Sequence, residues 1–433
     1  MVAYRAGAPL RAGNFLADVM RVAGALPDRQ HVLNACQDRY RFTVAFAASL
    51  VANRISLLPS THTPEVIRQL TEFAPDVFCL TDDPRCQIEL PRVRFPDLVP
   101  GETAPWLPPQ IEPDRLVAYV FTSGSTGTPL PYRKTWGRLV NCVRFEAQRL
   151  GLLDGRSHAL VGTVPPQHMY GFESTVLLAL QSANAFSAGK PFYPADVCSE
   201  LASVPEPRTL VSTPVHLRTL LGTDAELPAT ELVLSATAPL SQNLAREVEQ
   251  HYQTRLLEIY GSTETGQIAS RRTAETVEWQ LFDDVRLIAE GEDTWAEGGH
   301  IEQRTAMCDV LEITGADRFL LHGRLSDLVN IAGKRSSLSY LNHQLNAIPG
   351  VVDGAFFVRE TEAGSSTGVT RVAAVVVAPE LSATELAEQL RRRIDAVFMP
   401  RPLLFVDSLP RNDTGKLPHD SLRALAATAM KRT

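Results

Sequence analysis

Tyr119-Val120-Phe121-Thr122-Ser123-Gly124-Ser125-Thr126-Gly127-Thr128-Pro129 decides how the rest of this chain is read. The apolar run Leu116 to Phe121 predicts a buried strand, which stops at Thr122 to Thr128, a stretch made only of Gly, Ser and Thr. A loop of that composition brings backbone N–H groups and short hydroxyls against a polyanion with no bulky side chain in the way. It is not the P-loop of ordinary NTPases, because the G-x-x-x-x-G-K-[ST] spacing is absent. A flexible connector is the plain alternative. The position after a strand and before the helical pattern Arg138 to Leu152 favours phosphate handling.

Outward from this loop, short β-prone runs alternate with helical patterns. His158 to Val164, Thr209 to Ser212, Glu231 to Ala236 and Leu256 to Tyr260 read as strands. Ser174 to Leu180, Pro214 to Leu221 and Leu240 to Tyr252 read as helices, the second opened by the N-cap and first-turn proline of Thr213-Pro214. This alternation predicts an α/β fold with a largely parallel sheet. Beyond Arg324 the pattern changes. Strands are expected at Ala355 to Val358, Arg371 to Val377 and Leu403 to Val406, with a capping box, Ser382-Ala383-Thr384-Glu385, opening a helix to about Phe398. We therefore expect a large domain over 1–324 and a smaller α+β domain over 325–433.

Composition narrows the class. The net charge is 42 − 49 = −7, which argues against a nucleic-acid footprint. Six scattered cysteines with no C-x-x-C pair suit free thiols in a reducing compartment. No apolar run approaches the ~18 residues of a membrane span, and Met1 to Pro27 lacks a signal-peptide core. A cytoplasmic location, with no membrane partner, is the expectation.

Three further segments stand in fixed order after the Gly/Ser/Thr loop: Tyr260-Gly261-Ser262-Thr263-Glu264-Thr265-Gly266, Gly323-Arg324-Leu325-Ser326-Asp327, and Leu409-Pro410-Arg411-Asn412-Asp413-Thr414-Gly415-Lys416. Together the four closely resemble the successive core motifs of the adenylate-forming superfamily, over roughly residues 30–425. The resemblance implies a large N-terminal domain, a mobile C-terminal domain and ATP bound between them. It implies that Thr122, Ser123, Gly124, Ser125, Thr126 and Gly127 wrap the β- and γ-phosphates. Thr237, Ala238 and Pro239 would cradle adenine, with Ser235-Ala236-Thr237 standing where the family often has glycines. Tyr260, with Gly261 and Ser262, would face the adenine, and Thr263 the α-phosphate. Glu264 would hold Mg²⁺, a hard cation that suits carboxylate and phosphate oxygens; a helix cap is its alternative role.

The same resemblance makes Asp309, 14 residues before Gly323, the ribose-binding carboxylate, though Met307-Cys308 replaces the usual Thr-Gly. A loop Asp is the alternative. Arg324 would contact ribose or phosphate, and Ser326 or Asp327 would be the hinge. Lys416 would be the catalytic lysine, a point cation stabilising charge at the α-phosphate as pyrophosphate leaves. The family's lysine just after the phosphate loop is absent; Leu130 takes its place, and Lys134 is either a phosphate contact or a surface residue.

Val164 to Phe172 resembles the segment that opens the acid pocket, with His168, Met169, Tyr170 and Gly171 as its candidate residues. Met169 stands where amino-acid-activating relatives place an Asp. An ammonium buried there would lack a counter-ion, so a plain carboxylic acid is favoured. Met169, Tyr170 and Phe172 suit an aromatic or short acyl group, core packing being the alternative for the last two. The chain is short for the superfamily and its Thr-Pro-Leu-Pro-Tyr-Arg-Lys segment is altered. In both respects it resembles the hydroxybenzoate–acyl carrier protein ligases of aryl-polyene and xanthomonadin-type clusters. The function expected is ATP- and Mg²⁺-dependent conversion of an acid to acyl-AMP. Transfer to the phosphopantetheine thiol of an acyl carrier protein would follow. The short basic patch Ala332-Gly333-Lys334-Arg335 near the expected thiol entry suits either a carrier protein or coenzyme A. The rivals are transfer to coenzyme A and a catalytically silent nucleotide-binding homologue.

Overall fold

The run Leu116–Thr122 is a strand, fifth in a six-stranded sheet ordered Arg92–Arg94, Phe78–Thr81, His31–Asn34, Ile55–Leu58, Leu116–Thr122, Leu130–Thr135. The first five run parallel and the last returns antiparallel, with Leu130 opposite Thr122. The Gly/Ser/Thr stretch is thus the connection between two paired strands. This is a computed structural model, and it describes all residues except 60, 106, 123–129, 224–225, 292, 325–327, 332–333, 360–370, 413–416 and 431–433.

An eleven-stranded sheet carries the middle of the chain. Ala159–Gly162, Arg208–Ser212, Leu232–Ser235 and Arg255–Ser262 lie side by side and parallel. Their side chains are buried almost throughout the first three, as expected of parallel strands covered on both faces. On the far side of Arg255–Ser262 the sheet continues antiparallel through Gly266–Arg271, Trp279–Leu281, Arg318–Arg324 and Asp309–Ile313. Local chemistry starts the helices between these strands. Thr213 accepts a bond from His216 N–H and is followed by Pro214, and Ser241 does the same for Leu244.

Beyond residue 327 the chain builds its own layer. The hairpin Leu328–Ile331 and Lys334–Ser337 is followed by a three-stranded sheet of Asp353–Arg359, Arg371–Val377 and Leu403–Phe405. Helices Leu338–Asn346 and Ala383–Arg391 bury Leu341, Leu345, Leu386 and Leu390 against it. The six cysteines are unpaired. No described helix is long and apolar enough to cross a membrane.

Three expectations change. The helix opened by Ser382 ends at Arg391, because Asp395 caps a separate short 3₁₀ turn, Ala396–Phe398, by accepting from Val397 N–H. The segment expected as a helix over Ser174 to Leu180 begins at Phe172 with a π-helical stretch to Leu177 before α geometry resumes. Finally, no helix follows Tyr260 to Gly266. The chain doubles back as the strand Gly266–Arg271, so Glu264 cannot be a helix cap.

Candidate active site

Parallel strands that end together leave a crevice at their carboxyl edge. Here that edge carries, in order, the turn after Ser262, the Thr237 loop, Thr213, and the segment from Thr163 to His168. The candidate residues for adenine, metal and acid are therefore neighbours, although they are scattered along the sequence.

Tyr260 is the centre of the nucleotide part. Its ring packs at tilted angles against Trp279 and Phe319, 5.5 and 5.6 Å between centroids, and its hydroxyl donates to Asp309 Oδ2 at 2.5 Å. Asp309 opens an edge strand and stands directly opposite Arg324 in the register. It is no loop residue. The antiparallel pairing explains the spacing of 14 residues from Gly323 as one trip out and back. Gly323 has φ +121°, and a Cβ there would lie 2.7 Å from Ser337 Oγ and 2.8 Å from Ser339 Cβ.

Thr237, at φ +76°, holds the left-handed backbone that the sequence departure from glycine makes costly. A buried carboxylate missed by sequence reading holds this loop. Glu258 accepts from Leu240 N–H at 3.0 Å, Arg271 Nε at 2.8 Å and Thr273 Oγ1 at 2.7 Å. Its one signal was an acid inside the apolar run Leu256-Leu257-Glu258-Ile259. Ala238 is half-buried and Pro239 exposed in the same loop.

The turn from Ser262 to Gly266 is fastened to itself. Thr265 N–H donates to Ser262 Oγ at 3.2 Å, and the two hydroxyls lie 3.1 Å apart. Gly261 is required, since a Cβ would stand 2.3 Å from Gly266 O. Thr263 and Glu264 are half-buried at its tip, and among the described residues the Glu264 carboxylate has no hydrogen-bond or ionic partner. An unpartnered carboxylate fits Mg²⁺, the remaining oxygens being supplied by phosphate and water.

Lys134 is not on the surface. It is 4% exposed, and its Nζ donates to the Glu264 carbonyl at 3.4 Å. Beneath lie Cys142, Glu146, Glu173, Gln267 and His300, all buried. Burial pushes Glu146 up to about 8, and Glu173 up to about 7 against the opposing pull of Lys134; it pulls His300 down to about 4. Nothing in the sequence reading singled out this cluster, because its members come from four separate segments.

In the acid segment, His168 precedes a single helical turn, Met169–Gly171, and Gln167 donates to Cys36 O at 2.7 Å. Met169 is half-buried, and Tyr170 is buried. Gly171 lies so close to Pro165 that a Cβ would come within 2.2 Å of its carbonyl oxygen. Phe172 is fully buried, edge-on to Phe42 and Phe46. Arg39 holds the segment from below. It is fully buried and donates to the carbonyls of Gly162, Val164, Ser187 and Gly189 at 2.8–3.2 Å.

From the C-terminal layer, Arg411 makes a two-pronged pair with Asp353, at 2.7 and 2.8 Å, which ties its motif to the small sheet. Leu409, Arg411 and Asn412 border a cleft of about 360 Å³ whose opposite wall includes Phe192, Val215, His216 and Arg218. Ser123, Gly124, Ser125, Thr126, Gly127, Ser326, Asp327 and Lys416 lie outside the described residues, as do the side chains of Thr122 and Arg324.

Removing the Asp309 carboxylate is expected to weaken ATP binding about tenfold or more, the usual scale for a lost charged hydrogen bond. Ribose hydroxyls change little in the reaction, so the loss falls on binding rather than turnover. Isothermal titration of Asp309→Ala with ATP checks this; an unchanged affinity assigns the ribose to another residue.

Comparison with known proteins places these features. A sequence model described as AMP-binding enzyme matches residues 11–287. The chain is 28% identical to a 4-coumarate–CoA ligase of Rhodobacter capsulatus over 68% of this chain and 73% of the relative. It is 24% identical to a 4-chlorobenzoate–CoA ligase of a Pseudomonas species over 86% and 81%. The fold matches ATP-bound MatB from Rhodopseudomonas palustris with a TM-score of 0.79 at 19% identity, over 95% of this chain and 92% of that one. It also matches an O-succinylbenzoate–CoA synthetase from Bacillus subtilis, solved with ATP and magnesium, with a TM-score of 0.77 at 18% identity over 94% and 93%.

Proposed function

From the premise that this chain belongs to the AMP-binding enzyme family, we propose that it activates an aromatic carboxylic acid and delivers it to a carrier-protein thiol. At the coarser level it is an AMP-forming acid–thiol ligase, making acyl-AMP from ATP and transferring the acyl group to a thiol. The observation that carries the nucleotide assignment is the Tyr260–Asp309 bond, with Arg324 opposite in the register and the Thr237 loop alongside.

In this reading the acid's carboxylate attacks the α-phosphorus and pyrophosphate leaves. Tyr260 and Asp309 hold the nucleoside, and Thr263 and the Thr122–Gly127 loop hold phosphates. Mg²⁺ at Glu264 would offset the negative charge of the polyphosphate. Lys416, carried by a mobile 325–433 domain turning at Ser326 or Asp327, meets the charge that develops in the transition state. His168, Met169, Tyr170 and Gly171 receive the acid. Met169 offers no partner to an α-ammonium, which supports a plain acid. The relatives named for coumarate and chlorobenzoate support an aromatic one. Unpaired cysteines suit a cytoplasmic setting.

The acceptor is the open competition. The curated relatives are CoA ligases, which favours coenzyme A as the second reading. Lys334 and Arg335 favour an acidic carrier protein, which a basic rim would steer by charge. Two assays decide. Pyrophosphate release is screened with benzoates, cinnamates and fatty acids, the expected result being aryl-acid dependence. Release with none of them points to the silent homologue; release with fatty acids alone removes the aromatic assignment. The preferred acid is then offered to carrier-protein phosphopantetheine and to coenzyme A at equal concentration and physiological salt. Faster acylation of the carrier is expected, and faster turnover with coenzyme A moves the enzyme to the acyl-CoA synthetases.

A further inference from the structure

An ammonium buried at position 134 needs a reason, since a methionine of similar length would pack there with less desolvation. Lys134 stands on the strand Leu130–Thr135, opposite Ala118. Its Nζ is turned toward the neighbouring sheet, where it donates to the carbonyl of Glu264. Among the described residues no other side chain bonds to that carbonyl. The far end of the same turn rests on the buried cluster. Gly266, at φ +73°, is packed so that a Cβ would meet Cys142 Sγ and Glu173 Oε1 at 3.3 Å and His300 Cδ2 at 3.4 Å. Among the described residues the turn is thus fixed internally by Ser262 and Thr265, below at Gly266, and at the Glu264 carbonyl by Lys134. The tip of the turn carries the Glu264 carboxylate, unpartnered among the described residues.

We propose that Lys134 is a positioning residue for the metal site: by holding the Glu264 carbonyl, it aims the Glu264 carboxylate at Mg²⁺·ATP. This rests on Glu264 being the Mg²⁺ ligand, as in the function proposed above. It assigns Lys134 neither to the polyphosphate nor to the surface. It also relates the leucine at position 130, where the superfamily has a lysine, to a cation placed four residues later.

The test is equilibrium dialysis of ATP against the full-length protein, with EDTA and across a Mg²⁺ titration. Lys134→Met is expected to leave ATP binding in EDTA unchanged and to raise the Mg²⁺ midpoint about tenfold, the scale of a hydrogen bond to a charged group. Lys134→Met alone leaves the buried Glu173 without the cation that opposes its upward shift, and is expected to lower the melting temperature. Lys134→Met/Glu173→Gln removes both charges, and is expected to recover the melting temperature while keeping the raised Mg²⁺ midpoint. A double variant with the wild-type midpoint shows that the pair only supports the fold, and overturns the proposal. Equal weakening of ATP binding in EDTA makes Lys134 a phosphate contact, and overturns it too. If the wild-type protein itself binds ATP with no Mg²⁺ dependence, the underlying assignment of Glu264 fails instead.

Discussion

Lys416→Ala is expected to reduce acyl-AMP formation about 10²–10³-fold while ATP binding stays within a factor of about two. The lysine ends the Leu409–Lys416 motif, whose Arg411 is tied to Asp353 and whose start borders the cleft facing helix Pro214–Leu221. In the function proposed above, its cation meets negative charge that grows only as pyrophosphate departs. Its loss therefore falls on the transition state and not on the bound ground state. Removing a preorganised donor of this kind costs roughly 3–4 kcal/mol. Acid-dependent pyrophosphate exchange measures the first quantity and titration with ATP the second. Exchange near the wild-type rate removes Lys416 from the chemistry. An equal fall in ATP affinity makes it an ordinary binding residue.

Arg39→Ala is expected to be the most damaging change to the fold. The guanidinium is fully buried, and burial pulls it down only to about 10, so it remains charged at neutral pH. Its four acceptors lie at or just past the ends of two strands of the larger sheet, Ala159–Gly162 and Ala185–Ser187, while Arg39 itself opens the helix Arg39–Val51 that follows a strand of the smaller one. One side chain thus joins the two sheets beneath the segment leading to His168. Losing about 1 kcal/mol or more at each acceptor sums to ~4 kcal/mol, a large share of the roughly 5–15 kcal/mol that holds a domain together. Urea unfolding should show it. Arg39→Lys should fall between wild type and alanine, because an ammonium keeps three donors but cannot span four acceptors. Stability of Arg39→Ala within about 1 kcal/mol of wild type would mean that water replaces the guanidinium.

Residues close in sequence were the legible ones. The strand Leu116–Thr122, the cap at Thr213-Pro214 and the capping box at Ser382 depend on a few consecutive side chains, and each forms where expected. The helix after Ser382 is shorter than its apolar face implies, because Asp395 offers the backbone a competing turn. Phe172 shows the same limit in the acid segment. Its type suits a pocket or a core equally, and only its contacts with Phe42 and Phe46 decide for the core.

The α/β alternation, the order of the motifs and the identity of Tyr260, Glu264, Asp309 and Lys416 as candidates were set by sequence alone. Periodicity and short motifs are local and survive without a third dimension. Tertiary structure decided the rest. It brought Asp309 under the hydroxyl of Tyr260 by folding two strands antiparallel, and it made Glu264 the tip of a strand-to-strand turn. It took Lys134 from either of two sequence readings to a buried place beneath that tip. Arg39, Glu173 and Glu258 owe their importance to partners distant in the chain, since the cost of burying a charge depends on which donors and acceptors the fold brings around it.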